Sequence, residues 1–304
     1  MARTSRALAY LKLIRPKQWL KNFFVFAPLI FAQELFHVPA VLESLKAFAA
    51  FCLCASAIYT LNDITDLEAD RAHPEKRHRP IAAGLIPVPA ALILFSLLLA
   101  AAVVLTSQMD GRFLVVLATY VVVNVAYSLR LKEVMLLDVF MVAAGFMFRV
   151  VGGAYAINVR VSSWLVLCSL FVSLFLGFAK RRGELLVALG SGTESKRKVL
   201  SLYRVDFIDQ MLTITAAGTV ISYALYTVAP RTIEVFHTEK LIYTTVFVLY
   251  GMFRYLYLTH TSSSVENPTN SVTSDVPILM TGILWILACI VLIYAGDLLP
   301  LMEL

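Results

Sequence analysis

The stretch LNDITDLEADRAHPEKRHRPIAAG, residues 61–84, is the most charged part of a largely apolar chain. It holds five acidic residues and four Lys or Arg residues, whereas charged residues make up 15% of the whole sequence. Asp63, Asp66 and Asp70 are spaced by three and then four positions. On a helix with 3.6 residues per turn, this spacing places the three carboxylates on one face, while Glu68 points elsewhere. The stretch therefore predicts a cluster of carboxylates on one side of a helix.

The rest of the chain is far more apolar than an average soluble protein. Hydrophobic residues make up 60% of its 304 residues and the mean hydropathy is +0.79, whereas soluble domains are close to half apolar. We therefore expect an all-α polytopic membrane protein with about nine transmembrane helices, forming one membrane-embedded domain over residues 1–304. Apolar runs long enough to cross about 30 Å of hydrocarbon lie near residues 20–36, 46–62, 86–106, 112–128, 134–152, 163–180, 211–229, 240–258 and 277–299.

The distribution of Lys and Arg predicts the orientation of these helices. Basic residues collect in segments 1–21, 71–79, 130–132 and 180–204, whereas the alternate connections hold only a scatter of them. By the positive-inside rule, the N-terminus and the long polar connections face the cytoplasm. Basic residues also interrupt the first apolar run, so a removable signal peptide is not expected. The sequence thus predicts a multi-pass protein of the inner (plasma) membrane.

At the cytoplasmic end of the second predicted span, three aligned carboxylates need a positive partner. Like charges at this spacing repel one another, and acids near the membrane are costly unless they are neutralised. Mg²⁺ commonly binds one or two carboxylates together with substrate phosphates. We expect Asp63, Asp66 and Asp70 to hold Mg²⁺, with Asn62 at the edge of the same face. The alternative is a solvated helix end with mixed charges.

A basic loop follows the acids directly. Pro74 is expected to turn the chain and to present Lys76, Arg77 and Arg79 beside the carboxylates. Arginine binds phosphate oxygens through two parallel hydrogen bonds, and lysine acts as a point charge. A magnesium site flanked by these bases suggests a diphosphate substrate. No glycine-rich P-loop is present.

These residues carry a family resemblance. NDITDLEADRAHPEKRHRPIAAG resembles the NDxxDxxxD motif and the following basic loop of the UbiA superfamily of intramembrane prenyltransferases. One branch is similar over three further stretches, RPKQWLKNFFVFAPLIFAQ, AYSLRLKEVMLLDVFMVAAGFMFRVVGGA and FLGFAKRRGEL. That branch is the decaprenyl-phosphate phosphoribosyltransferases, which move phosphoribose from phosphoribosyl pyrophosphate to a polyprenyl phosphate. Similarity runs in patches from about Arg15 to Asp275, and it implies a UbiA-like bundle of nine helices with a cytoplasmic-side active site.

One departure from the wider superfamily supports this branch. Typical members carry a second aspartate-rich motif after the sixth span, whereas this chain has a basic segment there. A donor with a sugar phosphate and a pyrophosphate, combined with a lipid phosphate, calls for more positive charge. The alternatives are an ordinary positive-inside flank, or a partial second metal site at Asp206 and Asp209, which keeps prenyl transfer to an aromatic or lipid acceptor open. The candidate substrate-binding residues of the basic segment are Lys180, Arg181, Arg182 and Glu184.

Further candidates are more isolated along the sequence. The resemblance places Tyr127 and Lys132 near the substrate phosphates, although an interfacial aromatic with a snorkelling base would look the same. Asp138 lies within the fifth span, where an unpaired carboxylate would be costly. Arg149 lies on the same helix face as Asp138. It could be a functional residue, or its side chain could snorkel outward to the membrane surface. The expected floor of the donor pocket consists of Lys17, Lys21 and Asn22.

The mechanism expected from these residues is a magnesium-dependent pentosyl transfer by a glycosyltransferase. Metal and bases stabilise the charge that develops on the leaving pyrophosphate. The lipid phosphate is already anionic, so the protein mainly positions two anions and needs no strong base. The product suits cell-envelope polysaccharide synthesis; nucleic acid is not an expected partner and a homo-oligomer is possible. The expected catalytic residues are Asp63, Asp66, Asp70, Lys76 and Arg77.

Overall fold

A computed structural model describes residues 6–72, 76–191, 198–261 and 275–302, and nearly all of them are helical. The predicted turn at Pro74 lies outside these ranges. Within them there is no β-strand. The α-helices are α1 Arg6–Ile14, α2 Ala27–Phe31, α3 Val38–Thr65, α4 Leu67–Arg71, α5 Val88–Thr106, α6 Gly111–Leu129, α7 Leu137–Ala156, α8 Ser163–Ser191, α9 Val205–Val228, α10 Pro230–Phe236, α11 Thr245–Thr261 and α12 Val276–Met302. The 3₁₀ helices are Pro16–Phe26, Lys76–His78, Leu131–Glu133, Lys198–Leu202 and Lys240–Thr244.

Among the described residues, eight helical segments are long and apolar enough to cross a membrane. They match the second to ninth spans expected from the sequence, and the predicted all-α multi-pass class is confirmed. The segments are Val38–Thr65, Val88–Thr106, Gly111–Leu129, Leu137–Ala156, Ser163–Gly190, Val205–Val228, Lys240–Thr261 and Val276–Tyr294.

Backbone contacts divide the chain into two compact units. The first unit comprises Met1–Leu29, Leu35–Leu131 and Phe148–Arg160. The second comprises Ile30–Glu34, Lys132–Met147 and Val161–Leu304. The organisation of residues 1–304 as a single domain stays a prediction.

The expected first span, residues 20–36, has a different form from the other eight. The chain instead forms the 3₁₀ helix Pro16–Phe26, followed by the short helix α2. This 3₁₀ helix packs against α3 within the first unit. Contacts in reverse order show that the two run antiparallel: Arg15 with Asp63, Trp19 Nε1 with Ser56 Oγ at 3.0 Å, Asn22 Nδ2 with Cys52 Sγ at 3.1 Å, and the rings of Phe26 and Phe48 with centroids 5.3 Å apart.

The 3₁₀ geometry lets a short segment follow a long stretch of α3. A 3₁₀ helix rises about 2.0 Å per residue, so eleven residues extend about 22 Å. The interval from Asp63 to Phe48 on α3 is about as long, at 1.5 Å per residue. Pro16 at the start of the helix is compatible with it, because its missing N–H is one that the first turn does not use.

Gly153 on α7 allows the backbone of the 3₁₀ helix to approach closely. A Cβ atom at this position would lie 2.1 Å from the carbonyl oxygen of Val25. No residue with a side chain fits at that distance without moving one backbone away from the other. Gly153 therefore fixes where the 3₁₀ helix lies against α7 inside the first unit.

Aromatic contacts complete the packing of each unit. In the first unit, Phe51 on α3 is fully buried and meets the rings of Phe113 and Tyr120 edge to face, with centroids 6.1 and 5.2 Å away. In the second unit, α8 packs against α9, and Phe175 meets Tyr255 of α11 at 5.2 Å. Edge-to-face geometry is favoured by the ring quadrupoles. These contacts hold fixed the helices that carry the polar residues described next.

Candidate active site

The acidic motif lies where α3 gives way to α4. Asp66 has φ −93° and ψ 10° and separates the two helices. Helical hydrogen bonds continue across it, from Asp66 N to Asn62 O at 2.9 Å and from Asp70 N to Asp66 O at 2.8 Å. The chain thus keeps a nearly helical course through the motif. For this reason Asp63 and Asp70, seven positions apart, remain on one side.

Asp63 and Asp70 are both buried, and Arg79 connects them. Arg79 Nη1 lies 3.1 Å from Asp63 Oδ1 and 2.6 Å from Asp70 Oδ2. The two acids are 2% and 3% exposed, while Asp66 is half-buried and Glu68 is exposed. The helix ending and the basic loop therefore bring together two of the three expected carboxylates and one of the expected bases, and Glu68 points away as expected.

Arg15 is a second guanidinium on Asp63, and sequence reasoning did not select it. Its Nη2 donates to Asp63 Oδ1, and its guanidinium lies 4.9 Å from the centre of the Tyr59 ring. Its backbone is left-handed, with φ 51° and ψ 61°, immediately before Pro16. Such a conformation costs on the order of 1–3 kcal/mol for a residue with a side chain, and the residue before proline favours extended backbone instead. The sequence signal for Arg15 is that RPKQW, part of one of the stretches that carry the family resemblance, begins with this arginine.

A further cationic group lies deeper in the first unit. Arg149 is 6% exposed, and its Nε donates to Asn22 Oδ1 at 2.6 Å. Its Nη2 donates to the hydroxyl of Tyr120 at 3.0 Å, and the guanidinium lies 4.9 Å from the centre of that ring. Asn22 is fully buried and also donates to Cys52 Sγ at 3.1 Å. Arg149 thus turns inward and does not snorkel, and it fixes the orientation of Asn22.

Lys21 is the neighbour of Asn22 on the 3₁₀ helix. Burial of its ammonium group lowers the pKa of Lys21 to about 8, and the positive charges of Arg149 and Arg15 lower it further in the same direction. An incoming anion stabilises the charged form of such a lysine more than that of an exposed one, because it offsets both the loss of solvation and the repulsion by the arginines. Lys17, on the same 3₁₀ helix, is exposed.

The acidic motif offers oxygen ligands suited to Mg²⁺. Asn62 Oδ1 is buried and has no hydrogen-bond partner in the described part of the chain. Asp63 and Asp70 converge on one cationic nitrogen, and hard divalent cations prefer such carboxylate and amide oxygens. Among the described residues, no three His, Cys, Asp or Glu side chains surround a common point. Two carboxylates and one amide oxygen are thus a set of oxygen ligands compatible with a hard divalent cation.

The other expected bases of the loop are not part of this ion-pair network. Arg77 is exposed, and its Nε lies 3.4 Å from Nε2 of the adjacent His78. Lys76 is half-buried. Tyr127, near the end of α6, and Lys132, in the 3₁₀ helix Leu131–Glu133, are also half-buried. Contacts of these residues with substrate stay predictions.

The basic segment of α8 forms buried ion pairs within the second unit. Arg181 Nε lies 2.6 Å from Asp138 Oδ2, and its Nη1 lies 2.5 Å from Glu184 Oε2. Asp138 is fully buried and accepts a second hydrogen bond from the hydroxyl of Tyr203, at 2.7 Å. Burial and this hydrogen bond raise the pKa of Tyr203. Arg181 thus neutralises the intramembrane carboxylate that the sequence marks as costly.

Arg182 is also held by partners inside the second unit. Its Nε lies 2.6 Å from Asp209 Oδ1, its Nη1 donates to the carbonyl of Thr259, and its Nη2 lies 3.1 Å from His260 Nδ1. Asp206 is exposed and pairs with Arg204 at 3.0 Å. Asp206 and Asp209 therefore contact different arginines.

These contacts favour a structural role for Arg181 and Arg182. Lys180 differs from them, since its side chain is 45% exposed and its Nζ lies 3.9 Å from Glu184 Oε1. Arg181, at 3% side-chain exposure, has little surface to offer to a phosphate. Binding of substrate by this segment stays a prediction.

Comparison with known proteins gives consistent results. A model of the UbiA prenyltransferase family matches residues 23–182. The chain is 38% identical over 220 residues to the decaprenyl-phosphate phosphoribosyltransferase of Mycolicibacterium smegmatis, covering 71% of this chain and 69% of that protein. It is 34% identical over 223 residues to the same enzyme of Mycobacterium tuberculosis, covering 71% and 72%. A UbiA homolog from Archaeoglobus fulgidus, solved with GPP and Mg²⁺, shares the fold, with a TM-score of 0.73, 17% identity, and coverage of 94% of this chain and 99% of that one.

Proposed function

This chain belongs to the UbiA prenyltransferase family, and from that premise we propose that it transfers 5-phosphoribose from phosphoribosyl pyrophosphate to a polyprenyl phosphate. It is a membrane transferase, and its similarity to the decaprenyl-phosphate phosphoribosyltransferase branch is confirmed. The nature of the donor, the requirement for Mg²⁺ and a role in cell-envelope precursor synthesis are parts of this proposal. So is the placement of the site at the cytoplasmic face of the inner membrane.

The observation that carries the proposal is the group of cationic side chains close to the two buried carboxylates of the acidic motif. Arg15 contacts Asp63, and Arg79 contacts both Asp63 and Asp70. The positive charges of Arg15 and Arg149 also lower the pKa of Lys21. Clustered cations focus potential on an anionic ligand. A donor that carries a pyrophosphate and a sugar phosphate would offer anionic oxygens to these cations.

The protein's own residues would bind and orient the donor. Asp63, Asp66 and Asp70, with Asn62 beside them, would hold Mg²⁺, which would neutralise charge that develops on the leaving pyrophosphate. Arg79 and Lys21 would bind phosphate oxygens, the first through two parallel hydrogen bonds and the second as a point charge. Fixed donors of this kind need little reorganisation as charge moves to the leaving group.

The acceptor needs positioning more than activation. A lipid phosphate is anionic at neutral pH, so its oxygen attacks the anomeric carbon without a strong general base. The bond from that carbon to the pyrophosphate oxygen breaks as the new bond to the phosphate oxygen forms. Repulsion between the two anions is the main contribution to the barrier, and a cationic site reduces this repulsion. The polyprenyl tail would lie among the apolar side chains exposed on the membrane-facing helices.

A transfer assay with two donors tests the proposal directly. We expect purified protein with Mg²⁺ to transfer label from phosphoribosyl pyrophosphate to polyprenyl phosphate. A mixture of a labelled prenyl diphosphate with aromatic or lipid acceptors should give no product. The reverse outcome would contradict phosphoribosyl transfer and would assign the chain to prenyl transfer, the other activity considered for its family. Asp63→Asn protein serves as the inactive control in both arms.

A further inference from the structure

A single nitrogen of Arg79 contacts both buried carboxylates of the acidic motif. Arg79 Nη1 contacts Asp63 Oδ1 at 3.1 Å and Asp70 Oδ2 at 2.6 Å. Both carboxylates are buried, so their charges are poorly screened by water. Two buried carboxylates on one side of a helical segment need a cation between them, and here the protein supplies its own.

Arg15 adds a second guanidinium to the same carboxylate oxygen. Its Nη2 donates to Asp63 Oδ1, the atom that Arg79 also contacts. An oxygen that accepts from two arginines has no capacity left for a metal ion, and two positive charges beside it repel a divalent cation. The contacts seen here and metal binding through Asp63 Oδ1 therefore exclude each other.

The arginines on Asp63 differ from Arg181 in one respect that bears on movement. The side chains of Arg15 and Arg79 are 24% and 26% exposed, whereas that of Arg181 is 3% exposed. A partly exposed guanidinium can turn toward a ligand without unpacking the core. The left-handed backbone of Arg15, at φ 51°, shows in addition that its present position is not the relaxed one for the chain.

We propose that Arg15 and Arg79 act as internal counter-ions of Asp63 and Asp70, and that they move onto the phosphates of the donor when a divalent cation takes their place. Arg15 is then a substrate-contacting residue, in addition to those that the sequence indicates. The inference rests on the proposed function for the identity of the anion, and on the geometry alone for the competition with metal. Metal and donor bind cooperatively under this scheme. Binding of the metal releases the arginines for the donor phosphates, and binding of the donor draws the arginines away from the carboxylates that hold the metal.

Direct binding of Mn²⁺, without any substrate, tests the competition. Free Mn²⁺ is measured by electron paramagnetic resonance with wild type, Arg79→Gln and Arg15→Gln. The matched control is Arg71→Gln, which changes an exposed arginine at the end of α4. We expect each of the first two variants to bind Mn²⁺ about tenfold more tightly than wild type, and Arg71→Gln to bind it unchanged. Equal or weaker binding by Arg79→Gln would overturn the competition.

Binding of pyrophosphate in saturating Mn²⁺ tests the transfer of the arginines. Arg79→Gln and Arg15→Gln should each weaken pyrophosphate binding about tenfold or more, although they tighten the metal. Arg79→Lys keeps the charge and should recover part of this loss if folding is intact. Tighter metal with unchanged pyrophosphate binding would overturn the transfer step. Neither measurement uses phosphoribosyl transfer, so a negative transfer assay would count against the proposed function and leave this inference intact.

Discussion

Lys21 retains its positive charge only up to a pH of about 8. Burial and the neighbouring arginines lower its pKa to that value from 10.5. The folded protein therefore releases this proton at a lower pH than an exposed lysine would. A bound anion stabilises the ammonium form and raises the pKa again, so binding above pH 8 takes up a proton.

This titration predicts the pH dependence of donor binding. With a pKa of about 8, wild-type Lys21 loses its charge progressively between pH 7.5 and 9.5, so we expect the donor KM to rise about tenfold over this range. Lys21→Arg stays charged over that range and should show a flat profile. Lys21→Gln should show a high KM throughout. A wild-type profile as flat as that of Lys21→Arg would remove Lys21 from the donor site.

The acidic motif gives a second prediction at the same scale. Asp63→Asn and Asp70→Asn each remove a buried carboxylate of the Arg79 network, and Asp66→Asn removes the third aligned acid. We expect Asp63→Asn, Asp66→Asn and Asp70→Asn each to lower kcat by about a hundredfold or more, because each removes a carboxylate proposed to hold Mg²⁺. Glu68→Gln changes an exposed residue and should keep most activity. Similar losses of activity in all four variants would indicate that the motif is an ordinary charged helix end without specific metal ligands.

Sequence spacing predicted one part of the site and missed another, for a physical reason. Asp63 and Asp70 are neighbours along one helical course, and Arg79 follows in the next loop, so local periodicity finds them. Arg15 reaches Asp63 only because the 3₁₀ helix runs antiparallel to α3. Arg149 meets Asn22 across 127 positions of sequence. No local pattern encodes such contacts, and they became visible only in the folded chain.

At the scale of elements, the 3₁₀ helix Pro16–Phe26 positions the cationic residues of the site. It carries Lys21 and Asn22 and starts directly after Arg15. Eleven residues in 3₁₀ geometry are unusual, because its hydrogen bonds are poorer than those of an α-helix. Packing against α3 and the close approach to Gly153 must therefore hold it in place.

Gly153→Ala tests this packing. The added Cβ would lie 2.1 Å from the carbonyl oxygen of Val25, so one backbone must move. We expect a loss of about 1–3 kcal/mol of stability, measured as a lower Tm in detergent, and weaker donor binding. Gly251→Ala is the matched control, because a Cβ there meets nothing within 4 Å in helix α11. Equal Tm values for the two variants would contradict the proposed role of Gly153.

The pair of Asp138 on α7 and Arg181 on α8 gives a different element-scale prediction. Removing one partner of a buried ion pair costs about 3–5 kcal/mol, so Arg181→Gln should lower Tm strongly. Asp138→Asn combined with Arg181→Gln should recover part of the loss, because the fully buried carboxylate is no longer left without its arginine. Lys180→Gln, which changes a side chain that is 45% exposed, should stay within about 0.5 kcal/mol of wild type. A folded Arg181→Gln protein with normal Tm but a raised donor KM would instead support a phosphate-binding role.

At the scale of the whole molecule, the number of crossings determines which loops share a side of the membrane. Four of the apolar helices, α5 to α8, lie between Arg77 and Arg204, and α9 adds a fifth before Lys240. An even number of crossings returns the chain to the same side and an odd number does not. The distribution of basic residues predicts that Arg77 and Arg204 face the cytoplasm and that Lys240 faces the opposite side.

Cysteine accessibility tests this topology in a background that lacks Cys52, Cys54, Cys168 and Cys289. Arg77, Arg204 and Lys240 are all exposed, so a cysteine at each of them can react with an impermeant thiol reagent. We expect Arg77→Cys and Arg204→Cys to label in inside-out vesicles and Lys240→Cys in right-side-out vesicles. Labelling of Arg77→Cys from outside would show that the acidic motif faces away from the cytoplasmic pool of phosphoribosyl pyrophosphate. Because that donor is charged and does not cross a bilayer unaided, the proposed reaction requires that Arg77→Cys is labelled in inside-out vesicles.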